Sequence, residues 1–147
     1  VDLFQFDLKN KNVNFIKDYD PSIPDVNTNK EQLIQALINL VRNSIQALEF
    51  KGNITIRTRT EPSYTIGNDY YPLVTKISVI DNGPGIPEDK LKEIFYPMVS
   101  TKTGGMGLGL TIAQSIIMQN SGLIECSSKQ RETSFTIVLP VRSKSDA

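Results

Sequence analysis

The sequence predicts an α/β (α+β) fold: a two-layer sandwich with a mixed, mostly antiparallel sheet and helices on one face. The apolar pattern changes between period 2 and period 3.6 in the order β-α-β-β-α-loop-α-β-β. That order favours a mixed sheet covered on one side. A long hairpin in the middle and an antiparallel pair at the end make most of the pairing antiparallel. The 147 residues suit one domain able to bury a core, and 39% hydrophobic with 22% charged residues fits a globular chain.

Taking the elements in order, residues 10–19 alternate, with Val13 and Phe15 in phase and Ile16 out of phase, as in a short strand. Asp20-Pro21-Ser22-Ile23-Pro24 ends it, because two prolines force an extended connection. Thr28-Asn29-Lys30-Glu31 reads as a capping box with Thr28 at the N-cap. From Glu31 to Glu49 the period is helical. Leu33, Leu37, Leu40, Ser44, Ala47 and Leu48 share one face, widened by Ile34, Ile38, Val41 and Ile45. Glu31, Arg42 and Glu49 lie at its outer edge, and Gln32, Asn39, Asn43 and Gln46 form an uncharged stripe on the other side. An ordinary amphipathic helix has no such amide stripe, so it calls for a reason.

Gly52 supplies the helix stop, and residues 54–60 alternate like a half-buried strand. A polar connection around Gly67-Asn68-Asp69 makes the hairpin. The next strand, residues 74–80, ends abruptly at Asp81-Asn82-Gly83-Pro84-Gly85-Ile86-Pro87. Residues 88–95 offer two helical turns. Residues 97–107 have no periodicity and carry Gly104, Gly105 and Gly107, as a loop would. Residues 108–121 read as a helix with Gly122 beyond its end, and 123–127 with 134–139 close the sheet.

Composition excludes several functions. Sixteen basic and sixteen acidic side chains leave no basic excess for a nucleic-acid or membrane surface. No apolar run approaches the roughly 18 residues that span a bilayer. Val1 to Asp7 also lack a signal peptide's basic start and apolar stretch. Opening on Val1 without methionine, the chain reads as an excised C-terminal fragment of something longer. Cys126 stands alone, so a reducing, cytoplasmic setting is the default. With one cysteine and no histidine, the common zinc sites and Ser-His or Cys-His catalysis are ruled out. Carboxylates, amides, lysines, backbone groups or a bound ion must do the chemistry.

Three motifs offer that chemistry. The run Gly104-Gly105-Met106-Gly107-Leu108-Gly109 enters a helix, where free backbone amides attract phosphate. Taken by itself it is more simply a flexible turn, and it matches neither the dinucleotide fingerprint nor the P-loop. Asp81-Asn82-Gly83-Pro84-Gly85-Ile86 puts a carboxylate at a strand end, where it can accept the amino group of adenine. Gly83 and Gly85 let a flat base approach and Ile86 can cover it; an Asx turn is the plainer alternative. In the amide stripe, Asn43 lies closest to the apolar face and is the best magnesium ligand, a hard oxygen donor. Asn39 can reach phosphates or the ion's waters, and Gln46 extends the row. A solvated polar face would show the same residues. Phe95-Tyr96-Pro97-Met98 reads as an apolar plug anchoring a loop, Lys102 could reach a terminal phosphate, and Ser100 and Thr101 are generic loop residues.

In order, Asn39-x3-Asn43, Asp81-x-Gly83-x-Gly85, Phe95 and Gly105-x-Gly107-x-Gly109 resemble the N, G1, F and G2 boxes of sensor histidine kinase ATP-binding domains. That group also includes type II topoisomerases, heat-shock ATPases and mismatch-repair ATPases. Asp18 to Pro24, Val41-Arg42-Asn43, Tyr96-Pro97-Met98-Val99-Ser100 and the long connection from Glu61 to Tyr71 look like the nitrogen-regulation sensor kinases. Met106 departs from the usual Thr or Ser, and Gln130-Arg131-Glu132 replaces a glycine-containing turn.

The resemblance implies a GHKL/Bergerat-type ATP-binding fold over residues 1–147, with residues 97–107 as an ATP lid. It implies that Asp81 selects adenine, that Gly83, Gly85 and Ile86 admit the base, and that Asn43 ligates magnesium. Asn39, Gln46, Lys102 and the amides of Gly105, Met106, Gly107 and Leu108 would hold the triphosphate, with Asn39, Asn43 and Lys102 in the catalytic set. The γ-phosphoryl group of ATP would pass to a histidine on a separate dimerisation domain and then to a response regulator. The whole protein would be a homodimer, open to a nitrogen-status signalling protein as a partner. Hydrolysing relatives carry a glutamate where this chain has Asn39, and a neutral amide is no general base, so hydrolysis should be slow. A serine kinase of the anti-sigma-factor type and a non-catalytic nucleotide-binding module are the other readings.

Overall fold

The computed structural model describes residues 12–22, 28–48, 51–83, 106–129 and 131–141, with the backbone alone at 106–109. Alternation turns Val13 and Phe15 of β1 (Asn12–Asp18) toward the core and leaves Ile16 exposed. Helix α1 (Lys30–Ala47) then returns the chain to β2 (Lys51–Ile66), which pairs with β1 in parallel, as a helical crossover allows. β3 (Asp69–Asp81) folds back on β2 as a long antiparallel hairpin. Helix α2 (Met106–Gln119) leads to β4 (Leu123–Lys129) and β5 (Glu132–Pro140). β5 inserts between β3 and β4, so the sheet runs β1-β2-β3-β5-β4.

One face of that sheet carries Ile54, Val79, Phe135, Ile137, Leu139 and Ile124. They pack against Ala36, Leu40, Val41 and Leu48 of α1 and its end, and against Leu110, Ala113, Ile116 and Ile117 of α2. The two-layer mixed sandwich is therefore as expected, with both described helices on one face. None of them is long and apolar enough to cross a membrane.

Several local expectations need correction. The N-cap of α1 is Asn29 rather than Thr28: Asn29 Oδ1 accepts from Gln32 N at 3.0 Å. Thr28 Oγ1 is buried with no partner among the described residues. Ile34 falls outside the buried arc and is exposed, while Ala36, unassigned by its pattern, is fully buried. The helix stops at Ala47, and Gly52 lies inside β2 rather than ending α1. A Cβ at Gly52 would stand 2.5 Å from Leu48 Cδ2, so glycine there permits close approach of strand and helix. The segment from Glu61 to Tyr71 is paired strand on both sides of a turn at residues 67–68, not a connection. Helix α2 begins at Met106, so residues 106 and 107 belong to it and not to the loop. The turns expected over 88–95 and the plug at Phe95-Tyr96-Pro97-Met98 lie outside the described residues.

The hairpin also carries a backbone irregularity. Ser63 has a left-handed backbone (φ 56°) opposite Pro72, which has no N–H to donate. Just past it Tyr64 reaches Glu125 of β4, across the face of the sheet that carries no helix, and donates its hydroxyl hydrogen bond there. Lys76 Nζ sits 4.7 Å from the Tyr64 ring centroid and 3.2 Å from Glu61. Burial, and then the Glu125 bond and charge, push the Tyr64 phenol well above its ordinary range. Val74 and Val138 are fully buried yet lie apart from the main core cluster.

Candidate nucleotide site

β3 ends at Asp81, whose register partners are Ile54 on β2 and Thr133 on β5. Its neighbours on both sides leave the residue only 2% exposed. Burial pushes the Asp81 carboxyl above its ordinary value. The Gly83 N–H, donating to Oδ1 at 3.0 Å, opposes that shift. So does the Ser44 hydroxyl, although it makes no well-formed hydrogen bond. Gly83 closes an Asx-type turn, and a Cβ there would stand 3.0 Å from the carboxylate oxygen and 3.4 Å from the Ala47 carbonyl. A side chain at Gly83 would therefore press the carboxylate out of place. Asn82 fixes the same turn to β2 by accepting from Asn53 N at 2.8 Å.

Helix α1 supplies the amides. Exposure rises across the stripe: Asn43 is buried at 5%, Asn39 half-buried and Gln46 exposed. Asn43 Nδ2 has no hydrogen-bond partner among the described residues. Such an orphaned amide in a dry setting is unusual. Gln32, the fourth member of the stripe, has a structural partner instead, accepting from Asn120 Nδ2 at 3.2 Å.

That last contact also orients α2. Asn120, just beyond the end of α2, bonds both Gln32 and the Asn29 N–H at the start of α1. The two helices thus run antiparallel. Eleven residues separate Gln32 from Asn43, about 16 Å of helix, and α2 runs back a similar distance to its first turn. Met106, Gly107 and Leu108 form that first turn, so its free amides lie at the same end of the molecule as Asn43 and Asp81. Gly85, Ile86, Lys102 and Gly105, and the lid over 97–105, lie outside the described residues.

Two residues that interact with Asp81 were not singled out by the motifs. Cys126 faces the helices from β4, and its thiol is pushed up to about 12 by burial and then by the Asp81 charge. Ser44 is 1% exposed. A signal for Ser44 did exist, a hydroxyl inside an apolar arc next to Asn43. Cys126 had none, since cross-strand placement decides what it meets. Among the described residues no group of three His, Cys, Asp or Glu side chains could hold a metal ion.

The structure thus places a buried carboxylate at a strand end, near an amide-bearing helix, with a second helix N-terminus at the same end. The family model for histidine kinase-, DNA gyrase B-, and HSP90-like ATPases matches residues 28–143. The chain belongs to this family. Membership implies that the ATPase domain binds ATP. Among curated proteins it is 48% identical over 132 residues to the sensory histidine kinase/phosphatase NtrB of Salmonella typhimurium, covering 89% of this chain and 38% of that protein. It is 37% identical over 136 residues to NtrB of Rhizobium leguminosarum bv. phaseoli, covering 88% of this chain and 36% of that protein. The ATPase domain thus spans well under half the length of these relatives. Among solved structures it resembles the nucleotide-free catalytic domain of histidine kinase ThkA, at 33% identity and TM-score 0.75. That match covers 94% of this chain and 85% of the other.

Proposed function

We propose that this ATPase domain binds Mg-ATP and donates its γ-phosphoryl group to a histidine on a separate dimerisation domain of a nitrogen-regulation sensor kinase. The observation that carries the reading is Asp81, a carboxylate buried at the end of β3 against the Asn43-Ser44 turn of α1. Few structural reasons justify a buried carboxylate, and the amino group of adenine supplies a functional one. In this reading Asp81 accepts from that amino group, and Gly83, with Gly85 and Ile86, admits and covers the ring. The first turn of α2 (Met106, Gly107, Leu108), with Gly105 and Lys102, meets the phosphates, under a lid formed by residues 97–105.

Asn43 fits a magnesium ligand: its amide is dry and one end lacks a partner. Amide oxygen and nitrogen are interchangeable by rotation, so a carbonyl oxygen can face the ion. Bound there, magnesium would neutralise phosphate charge and fix the polyphosphate geometry. Asn39, one turn back, lies where it can bond phosphate oxygens or waters, and Gln46 sits beyond it. Asn39 orients and holds no proton, which favours transfer over hydrolysis. The chain itself contains no histidine to accept the phosphoryl group.

Support for the wider setting comes from the relatives. The curated matches are named sensory histidine kinase/phosphatase NtrB. ThkA, 28% identical to this chain, has been solved in complex with the response regulator protein TrrA. By extension, the whole protein is a cytoplasmic homodimer that signals to a response regulator and answers to a nitrogen-status protein.

The test supplies a dimerisation domain from an NtrB protein and ATP labelled in the γ position. Label should appear on histidine as an acid-labile, base-stable phosphoamidate. Normal ATP binding with no label on the added domain would defeat the kinase reading.

A further inference from the structure

Ser44 carries a cost that nothing in the fold explains. It is 1% exposed, and its hydroxyl has no well-formed hydrogen bond among the described residues. A buried, unsatisfied hydroxyl is unfavourable, and alanine would suit a helix interior better. Its backbone carbonyl, by contrast, is engaged with Leu48 N at 3.2 Å at the end of α1. The side chain lies on the arc of α1 that packs on the sheet, next to Asn43 and beside the Asp81 carboxylate.

Asp81 needs what Ser44 can give. A carboxylate accepts through two oxygens, roughly four lone-pair positions. The Gly83 N–H occupies one, on Oδ1. One bond leaves the carboxylate plane free to turn, because the terminal torsion of aspartate is broad. An amino group on a flat base donates in the plane of the ring, so that plane must be fixed. A second donor from a different element, α1, fixes it.

We propose that Ser44 is a positioning residue for the base: its hydroxyl donates to the Asp81 carboxylate and sets the oxygen that receives a 6-amino group. This rests on the reading of Asp81 as the base acceptor and deepens it into a rule for specificity. Purines with a 6-amino group gain from a fixed carboxylate. Those with a 6-oxo group offer an acceptor to an acceptor and gain nothing.

The experiment titrates ADP and inosine diphosphate, without magnesium, into the natural domain, Ser44→Ala, Ser44→Thr and Asp81→Asn. Leaving out the ion removes any metal role of Asn43 from the comparison. In Ser44→Ala the affinity for ADP should fall about tenfold, the scale of a hydrogen bond to a charged group, while the inosine diphosphate affinity holds. Ser44→Thr keeps the hydroxyl and should restore the preference to within about threefold of the natural value. Wild-type preference in Ser44→Ala would overturn the proposal. So would an equal loss for both nucleotides that Ser44→Thr does not rescue, since that reports packing. If the natural domain itself prefers neither nucleotide, the reading of Asp81 fails first and takes the role of Ser44 with it.

Discussion

The Asp81 carboxyl lies almost fully buried at the end of β3, held by the Gly83 N–H and influenced by the Ser44 hydroxyl. Because burial raises its folded value above the ordinary 3.8, the folded domain holds that proton more tightly than the unfolded chain does. The favourable contribution is therefore present below 3.8 and is lost as pH rises through the folded value. At neutral pH the ionised group opposes folding. Asp81→Asn should raise the melting temperature of the nucleotide-free domain by a few degrees at pH 7. The gain should shrink toward nothing near pH 3, below the ordinary value of 3.8, where the carboxyl is mostly protonated in the folded and the unfolded chain alike. Calorimetric scans at the two pH values check this, and a lower melting temperature at pH 7 would contradict it. In the proposed function, position 81 gives up stability for binding, as sites that need a charge out of water commonly do.

Among the elements, the β4–β5 hairpin carries a visible strain. Lys129 pairs with Glu132, and Arg131 between them has φ 64°. A residue with a side chain held in the left-handed region costs roughly 1 kcal/mol or more. Arg131→Gly should therefore stabilise the domain by about 1 kcal/mol, roughly 3 °C, with nucleotide affinity unchanged. Thermal unfolding and a nucleotide titration check both halves. The same region shows what sequence patterns convey. Alternation and period placed all five strands and both described helices, because each buries one face and repeats faithfully. Boundaries were less legible where breakers mislead. Pro62, Ser63 and Pro72 look like a loop, yet partner strands and the Tyr64–Glu125 clasp hold them in the sheet. Thr28 and Asn29 both suit a cap, and only geometry chooses Asn29. Gly52 looks like a stop but makes room for Leu48. Asn43 and Asp81 stood out as candidates because amide and carboxylate break an apolar pattern, and both are buried. Ser44 passed as a small residue on the buried face, since pattern alone cannot show a missing hydrogen-bond partner.

At the scale of the molecule, the antiparallel helices and the strand order converge on one end. Asn120 ties the end of α2 to the start of α1, which brings the first turn of α2 to the end that holds Asn43 and Asp81. On the opposite face, Tyr64, Lys76, Glu61 and Glu125 fasten the long hairpin across the sheet. In the proposed function this end is a magnesium-nucleotide site in which Asn43 serves the ion and Asp81 serves the base. Isothermal titration of ATP, with and without magnesium, into the natural domain, Asn43→Ala and Asp81→Asn tests it most directly. The account predicts that magnesium strengthens binding to the natural domain, that Asn43→Ala removes that gain, and that Asp81→Asn weakens ATP with or without the ion. A magnesium effect that survives Asn43→Ala, or unchanged ATP affinity in Asp81→Asn, would contradict it.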